Sequence, residues 1–223
     1  AVVPQTSAIK IEKDIPLDKA ALVGCAVMTG VGAAINTAKI EPGSSVVVFG
    51  CGGIGLSIIQ GARLAGANKI IAIDVADNKL EMAQNFGATH IINSERDAPV
   101  EKVHELTGDG ADYSFEAVGI TLLMEQAHAA IRRGGTAVIV GVAALTDMVS
   151  FNALTLAMSA KTIKGCIYGD ANPPVDFPRL LDLYKSGKLN LDDMVSRTYS
   201  IDEAPQAFED MKNNANARGV IVF

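Results

Sequence analysis

The chain has 223 residues, 49% of them hydrophobic and 20% charged, which is enough to bury a full core in one large domain or one and a half. A net charge of −6 offers no basic field to a nucleic-acid backbone. Apolar stretches such as 136–145 are broken by Gly and fall short of the about 20 residues of a membrane span, so neither nucleic acid nor membrane is expected as a partner. The opening residues Ala1-Val2-Val3-Pro4-Gln5 show no basic segment followed by a long apolar one, which predicts a cytoplasmic protein. Cys25, Cys51 and Cys166 are too few and too scattered for a disulfide framework and are read as reduced thiols.

Residues 1–26 contain a short β-like piece and an apolar patch at 20–26. From residue 45 onward, short apolar runs alternate with amphipathic ones, the pattern of βα units that build a parallel sheet covered on both faces. Strands are predicted at 45–49, 69–74, 89–93, 113–116, 136–140 and 162–168, with helices at 54–64, 78–86, 99–107, 122–131 and 153–159. Gly66, Gly87 and Gly108 punctuate helix ends. The fold class is therefore α/β, a doubly wound six-stranded parallel sheet of Rossmann type spanning residues 27–169. Gly169-Asp170 and Pro173-Pro174 mark its far boundary. Beyond it lie helices at 177–186 and 201–213 and a strand at 219–223, which with residues 1–26 form a second structural layer.

The loop Gly50-Cys51-Gly52-Gly53-Ile54-Gly55 follows the β-rich run Val46-Val47-Val48-Phe49 and opens a helix. That context turns a bare G-x-G-x-x-G into a dinucleotide fingerprint. Gly50 supplies the tight turn, Gly52 admits a pyrophosphate to the backbone, and Gly55 lets the helix lie close on the strand. The helix start then meets the phosphate charge with N–H groups and a positive dipole end. Asp74 ends the second strand 19 residues beyond Gly55, where its carboxylate can accept both ribose hydroxyls of NAD. The same charge repels a 2′-phosphate, and Val75-Ala76 bring no cation to neutralise one, so NAD is favoured over NADP. Lys79 either covers that ribose or is an ordinary helix-surface lysine. Val118-Gly119 and Val140-Gly141-Val142 follow later strands at the carboxyl edge, where small residues leave space for the nicotinamide half or simply make a strand-to-loop transition.

The run Gly24-Cys25-Ala26-Val27-Met28-Thr29-Gly30, then Lys39-Ile40-Glu41-Pro42-Gly43, then the glycine loop, resembles the zinc-dependent medium-chain alcohol dehydrogenases. The likeness continues through Ile73-Asp74, Lys79, Phe86-Gly87-Ala88-Thr89, Phe115-Glu116-Ala117-Val118-Gly119, Val138-Ile139-Val140-Gly141-Val142 and Lys164-Gly165 to Arg218. The glutathione-dependent formaldehyde and aryl-alcohol branches are the nearest in pattern. The resemblance implies that NAD and a catalytic zinc are the cofactors, that Cys25 is one zinc ligand, and that Thr29 lies near the nicotinamide. It also implies that Val118, Val140, Val142 and Tyr168 line the nicotinamide side and that Arg218 reaches the pyrophosphate. Unaided, Cys25 reads as a small buried hydrophobe and Arg218 as a solvated charge before a strand. A small alcohol or aldehyde substrate and a homo-oligomer, dimer or tetramer, built through the strand at 162–168, are implied as well.

The departures from the family pattern matter equally. The remaining zinc ligands, the proton-relay hydroxyl and the four-Cys lobe have no counterpart, and His90, His104 and His128 fall outside the zinc pattern as surface or packing residues. The expectation is the C-terminal portion of a dehydrogenase, flanked by parts of an incomplete GroES-like catalytic domain, which binds NAD(H) without turnover. Rivals are a zinc-free quinone or enoyl reductase, against which Cys25 and Asp74 argue, and a non-catalytic nucleotide-binding module. A methyltransferase is a third, but it calls for an acid at the end of the first strand, where this chain has Val48-Phe49.

Overall fold

A computed structural model describes residues 2–213 and 218–223. Contacts divide the chain into two compact units, Thr29–Asp170, and Ala1–Met28 with Ala171–Phe223.

The larger unit is built on a six-stranded parallel sheet, β1 (Ser45–Phe49), β2 (Lys69–Asp74), β3 (His90–Asn93), β4 (Ala111–Glu116), β5 (Ile131–Ile139) and β6 (Thr162–Gly165), in the order β3-β2-β1-β4-β5-β6. Helices α3 (Gly53–Leu64), α4 (Asp77–Asn85), α5 (Pro99–Thr107), α6 (Thr121–Ala129) and α7 (Ala153–Ser159) connect them. Strands buried on both faces explain why β1 and β2 read as near-continuous β-branched runs. Val47, Phe49, Ile71 and Ile73 pack into one cluster with Val103 of α5 and Ala127 of α6. Val48, on the alternate face, approaches Gly55 of α3.

Register aligns the strand ends. Phe49 pairs with Ile73 and with Glu116, Asp74 with Asn93, and Glu116 and Gly165 with Ile139. One edge of the sheet thus collects the residues that follow each strand. The chain leaves β1 toward β2 on one side and meets β4 on the other, so this edge has a topological switch point at β1 and β4.

Several boundaries differ from the sequence expectation. The expected helix at 122–131 ends at Ala129 and the strand expected at 136–140 starts earlier, so that β5 runs from Ile131 through Gly134, at φ 72°, and Gly135. The last strand stops at Gly165 rather than 168, because Tyr168, Gly169 and Asp170 turn in the left-handed region at φ 54°, 70° and 47°. The β-like piece expected in 1–26 is absent among the described residues; that stretch holds a 3-10 turn, Gln5–Ser7, and helix α1, Leu17–Leu22. Helix α2, Met28–Gly32, lies between the π-helical stretches Val23–Val27 and Ala33–Ala38. Together these make one helical run, Leu17–Ala38, 22 residues with mean hydropathy 1.6, long and apolar enough to cross a membrane, which the reading of apolar stretches passed over. Its window is 67% buried within the protein, as in a core helix.

The smaller unit contains helices α8 (Pro173–Lys185) and α9 (Ala204–Lys212) and a parallel pair, β7 (Val195–Tyr199) with β8 (Arg218–Ile221). Lys185 ties α8 to the N-terminal segment by ion pairs with Glu12 and, at 3.0 Å, with Asp14.

Candidate functional site

The carboxyl edge at the switch point is where the glycine loop, Asp74 and the turns that follow β4 and β5 meet. β1 ends at Phe49 and the chain turns at Gly50, φ 93°, where a Cβ would lie 2.4 Å from Val118 Cγ2. Gly50 donates its amide to Ile73 at 2.8 Å and Cys51 donates its own to Asp74 Oδ2 at 2.7 Å. Gly52, the extended N-cap of α3, has open space where a side chain would stand. A Cβ on Gly55 would lie 1.8 Å from Gly50 O, so α3 crosses the turn in backbone contact. Gly53 and Ile54 begin the helix, and amides of a first turn have no partner within their own helix.

Asp74 does more than its place in the motif predicts. Its Oδ1 accepts from Val75 and Ala76 at 2.9 and 3.1 Å, while Oδ2 holds the glycine loop through Cys51. A carboxylate offers about four lone-pair sites, which leaves capacity for a ribose hydroxyl. Cys51 is buried beneath the loop. Burial pushes its thiol far up, with the nearby Asp74 charge adding to the effect and Lys79 opposing it, so the thiol is inert.

Sequence reasoning missed Glu116, at the end of β4 and fully buried. Its Oε1 accepts from Val118, Gly119 and Ile120 at 2.8, 2.7 and 3.4 Å, while Oε2 has no partner among the described residues. Above it, the two predicted loops touch. A Cβ on Gly141 would be 2.1 Å from the Gly119 amide and 2.5 Å from Glu116 Oε2, and one on Gly119, φ 94°, would be 2.4 Å from Val142 O. Val140 and Gly141 donate to the Glu116 carbonyl at 2.9 and 3.0 Å, and Val118 and Val142 stay exposed. The signal for Glu116 lay in the sequence as a charged residue directly after Phe115 at the end of a strand.

Thr29 is buried at the start of the unit, beside Gly30, whose added Cβ would meet Ser57 and Ile54 of α3. Tyr168 sits in the left-handed turn fixed by the Thr37 hydroxyl, which donates to Asp170 at 2.7 Å, and by Asn36, which donates to the Gly169 carbonyl at 3.1 Å. Cys25 and Arg218 belong to the smaller unit. Cys25 is exposed rather than buried, in the π-helical stretch Val23–Val27, whose buried side chains are Val23, Ala26 and Val27. Arg218 Nε is buried with no partner among the described residues.

The histidines make local contacts. His128 packs edge-on to Phe151 at 4.8 Å, His104 Nε2 lies 3.2 Å from Ala129 O, and His90 Nδ1 lies 2.8 Å from the Thr89 hydroxyl. Among the described residues no three His, Cys, Asp or Glu side chains gather as a metal site.

A family model described as zinc-binding dehydrogenase matches residues 53–186. The chain is 39% identical over 230 residues to S-(hydroxymethyl)glutathione dehydrogenase of Paracoccus denitrificans, and 39% identical over 233 residues to alcohol dehydrogenase class-3 of Cereibacter sphaeroides. Each alignment covers 100% of this chain and 61% of the relative. The structure of benzyl alcohol dehydrogenase from Acinetobacter calcoaceticus superposes with a TM-score of 0.93 at 35% identity, covering 96% of this chain and 59% of that one.

Proposed function

Because the chain belongs to the zinc-binding dehydrogenases, the zinc-dependent medium-chain alcohol dehydrogenase family, we propose that its larger unit is the NAD(H)-binding part of an enzyme that interconverts alcohols and aldehydes. The observation that carries this is the Gly50–Gly55 turn at the switch point, locked from below by the Asp74–Cys51 bond. Gly52 and the first-turn amides of Gly53, Ile54 and Gly55 receive the pyrophosphate, with the helix dipole favouring its charge. Asp74 accepts the adenosine ribose hydroxyls and disfavours a 2′-phosphate, and Lys79, on the helix that follows, covers that ribose. Gly119, Gly141 and the flanking Val118, Val140 and Val142 shape the nicotinamide side over Glu116, with Thr29 and Tyr168 completing its wall. Bound NAD would supply the hydride acceptor; these residues fix its position and keep water from one ring face.

Zinc is a separate matter. A catalytic zinc takes three protein ligands and an open position, and among the described residues no such cluster exists. Cys25 stands as a single candidate ligand and Arg218 as a candidate pyrophosphate contact, with 1–26 and 170–223 assigned to the catalytic domain. The residues present do not fit the metal, and the chain by itself is expected to bind NAD(H) without oxidising alcohols. Edge strand β6, with exposed Ile167 beyond its end, supports pairing with a second copy; light scattering at twice 23.3 kDa is the expected result and a strict monomer the refuting one.

The decisive experiment is a titration of the chain with NADH and NADPH. The chain has no Trp, so the nicotinamide's own fluorescence or calorimetry reads binding without interference. NADH is expected to bind with a dissociation constant of about 1–100 μM and NADPH about 100-fold more weakly. A folded chain that ignores NADH overturns the reading.

A further inference from the structure

A second carboxylate stands at the corner where Asp74 ends β2. Asp77, at the first turn of α4, holds both guanidinium nitrogens of Arg96, Nη1 at 3.1 Å to Oδ2 and Nη2 to Oδ1. Arg96 lies in the turn after β3, and that turn is anchored to the end of β2. Asn93 is the register partner of Asp74, Ser94 donates to the Asp74 carbonyl at 3.1 Å, and Arg96 donates its own amide to the Asn93 carbonyl at 3.1 Å.

The ion pair is exposed, and an exposed pair adds at most about 1 kcal/mol to stability. Its geometry is nonetheless held from beneath. Asn93 is buried, and its Nδ2 donates to Asp77 Oδ1 at 2.8 Å and to Val75 O at 3.1 Å, while its Oδ1 accepts from Glu95 at 3.0 Å. A buried amide that gives one donor to a surface carboxylate and the other to the Val75 carbonyl fixes that carboxylate against the end of β2, which packing alone does not require. The Asp77 carboxylate, with smaller effects of the Asp97 and Glu95 charges, holds the Arg96 guanidinium even more firmly protonated than usual.

Resting on the NAD(H) reading above, we propose that Asp77 is a cofactor-specificity residue: it sequesters Arg96, the guanidinium anchored beside the Asp74 corner, from a 2′-phosphate. An arginine near the end of β2 is what accommodates that phosphate in dinucleotide folds. Here such a cation is present and neutralised in a bidentate pair, which an arginine forms with particular geometric strength. Discrimination therefore has two layers: repulsion by Asp74, and withdrawal of the positive charge by Asp77. Removing Asp74 alone should leave NADPH poorly bound, because Arg96 stays paired.

The test uses the whole chain and four variants, D77N, D74S, D74S/D77N and D74S/D77N/R96M, titrated with NADH, with NADPH and with adenosine 2′,5′-bisphosphate as a probe of the ribose corner alone. Asp77 is exposed and Asn keeps its hydrogen-bonding capacity at the helix start, so D77N should fold normally and bind NADH within about threefold of the parent. D74S should improve NADPH affinity by less than about tenfold, and D74S/D77N by at least about tenfold more. Arg96→Met in the double variant should erase that second gain, for NADPH and bisphosphate alike. A double variant no better than D74S overturns the proposal, and so does a gain that survives R96M, which would mark it as loss of a negative charge without a role for Arg96. If the parent binds no NADH while folded, the dinucleotide reading fails first and this inference with it.

Discussion

A methyl group on Gly55 would come to 1.8 Å from the carbonyl oxygen of Gly50, closer than the 2.4 Å that one on Gly50 would leave to Val118 Cγ2. Gly55→Ala must push α3 off β1, an overpacking strain expected to lower stability by about 1–3 kcal/mol and to weaken NADH binding by at least about tenfold. Gly52→Ala separates the two effects, since its Cβ has open space and its backbone is already in the extended region. Its melting temperature should match the parent's, while NADH binding falls, because the methyl occupies the side from which a diphosphate approaches. Equal binding by G52A and the parent in calorimetry would remove Gly52 from the site.

The two oxygens of Glu116 are used unequally, and this predicts unequal substitutions. Oε1 satisfies three backbone amides that shape the Val118–Ile120 turn, whereas Oε2 has no partner among the described residues. Glu116→Ala takes the acceptor from three part-buried amides, at a cost of about 2 kcal/mol. Glu116→Gln keeps an acceptor for them and should cost less than half as much. Urea unfolding of both variants checks the order, and equal losses in the two would mean that the charge, rather than a neutral acceptor, holds the turn.

The glycine loop and Asp74 were legible in the sequence because their meaning is local: a β-branched run, a tight turn and a helix start within eleven residues, then an acid at the next strand end. Strands β1 and β2 were legible to their end residues for a related reason, each carrying an unbroken apolar run next to polar end residues, 46–49 after Ser45 and 70–73 between Lys69 and Asp74. Glu116 was not, since its importance comes from the register that sets it beside Phe49 and Ile139. The helical run Leu17–Ala38 was lost because Gly30 and Gly32 look like breakers. In the fold they are close-contact points, where a Cβ would lie 2.4 Å from Ser57 Cβ and from Gly169 O respectively. Strand β7 was missed because Ser196, Arg197 and Thr198 are polar and carry no apolar run.

The three thiols should separate by reactivity. Cys25 is exposed, Cys166 is half-buried with its thiol pushed up by burial, and Cys51 is buried with its thiol pushed up still further, by burial and then by the Asp74 charge. A disulfide reagent at pH 8 should modify Cys25 quickly, Cys166 slowly, and Cys51 only after unfolding. Cys25→Ser should abolish the fast phase. A fast phase that persists in C25S would contradict the exposure of Cys25.

His128 gives the fold a pH dependence whose sign follows from its surroundings. Burial against Phe151, reinforced by the charge of Lys161, holds its imidazole below the ordinary value of 6.5. The unfolded chain therefore binds a proton at a pH where the folded chain does not, so stability rises with pH through this range. The contribution is fully present above about pH 6.5 and is lost as pH falls toward the folded-state value. Lowering the pH from 7.5 to 5.5 should reduce the melting temperature of the parent more than that of His128→Gln, which keeps polarity but does not titrate. The carboxylates held low, Asp14, Asp77, Asp112, Glu203 and Asp210, lose their contribution only below about pH 4.5 and leave this window clear. Parallel melting curves for the two proteins across that interval would show that the imidazole is solvated and titrates as it does in the unfolded chain.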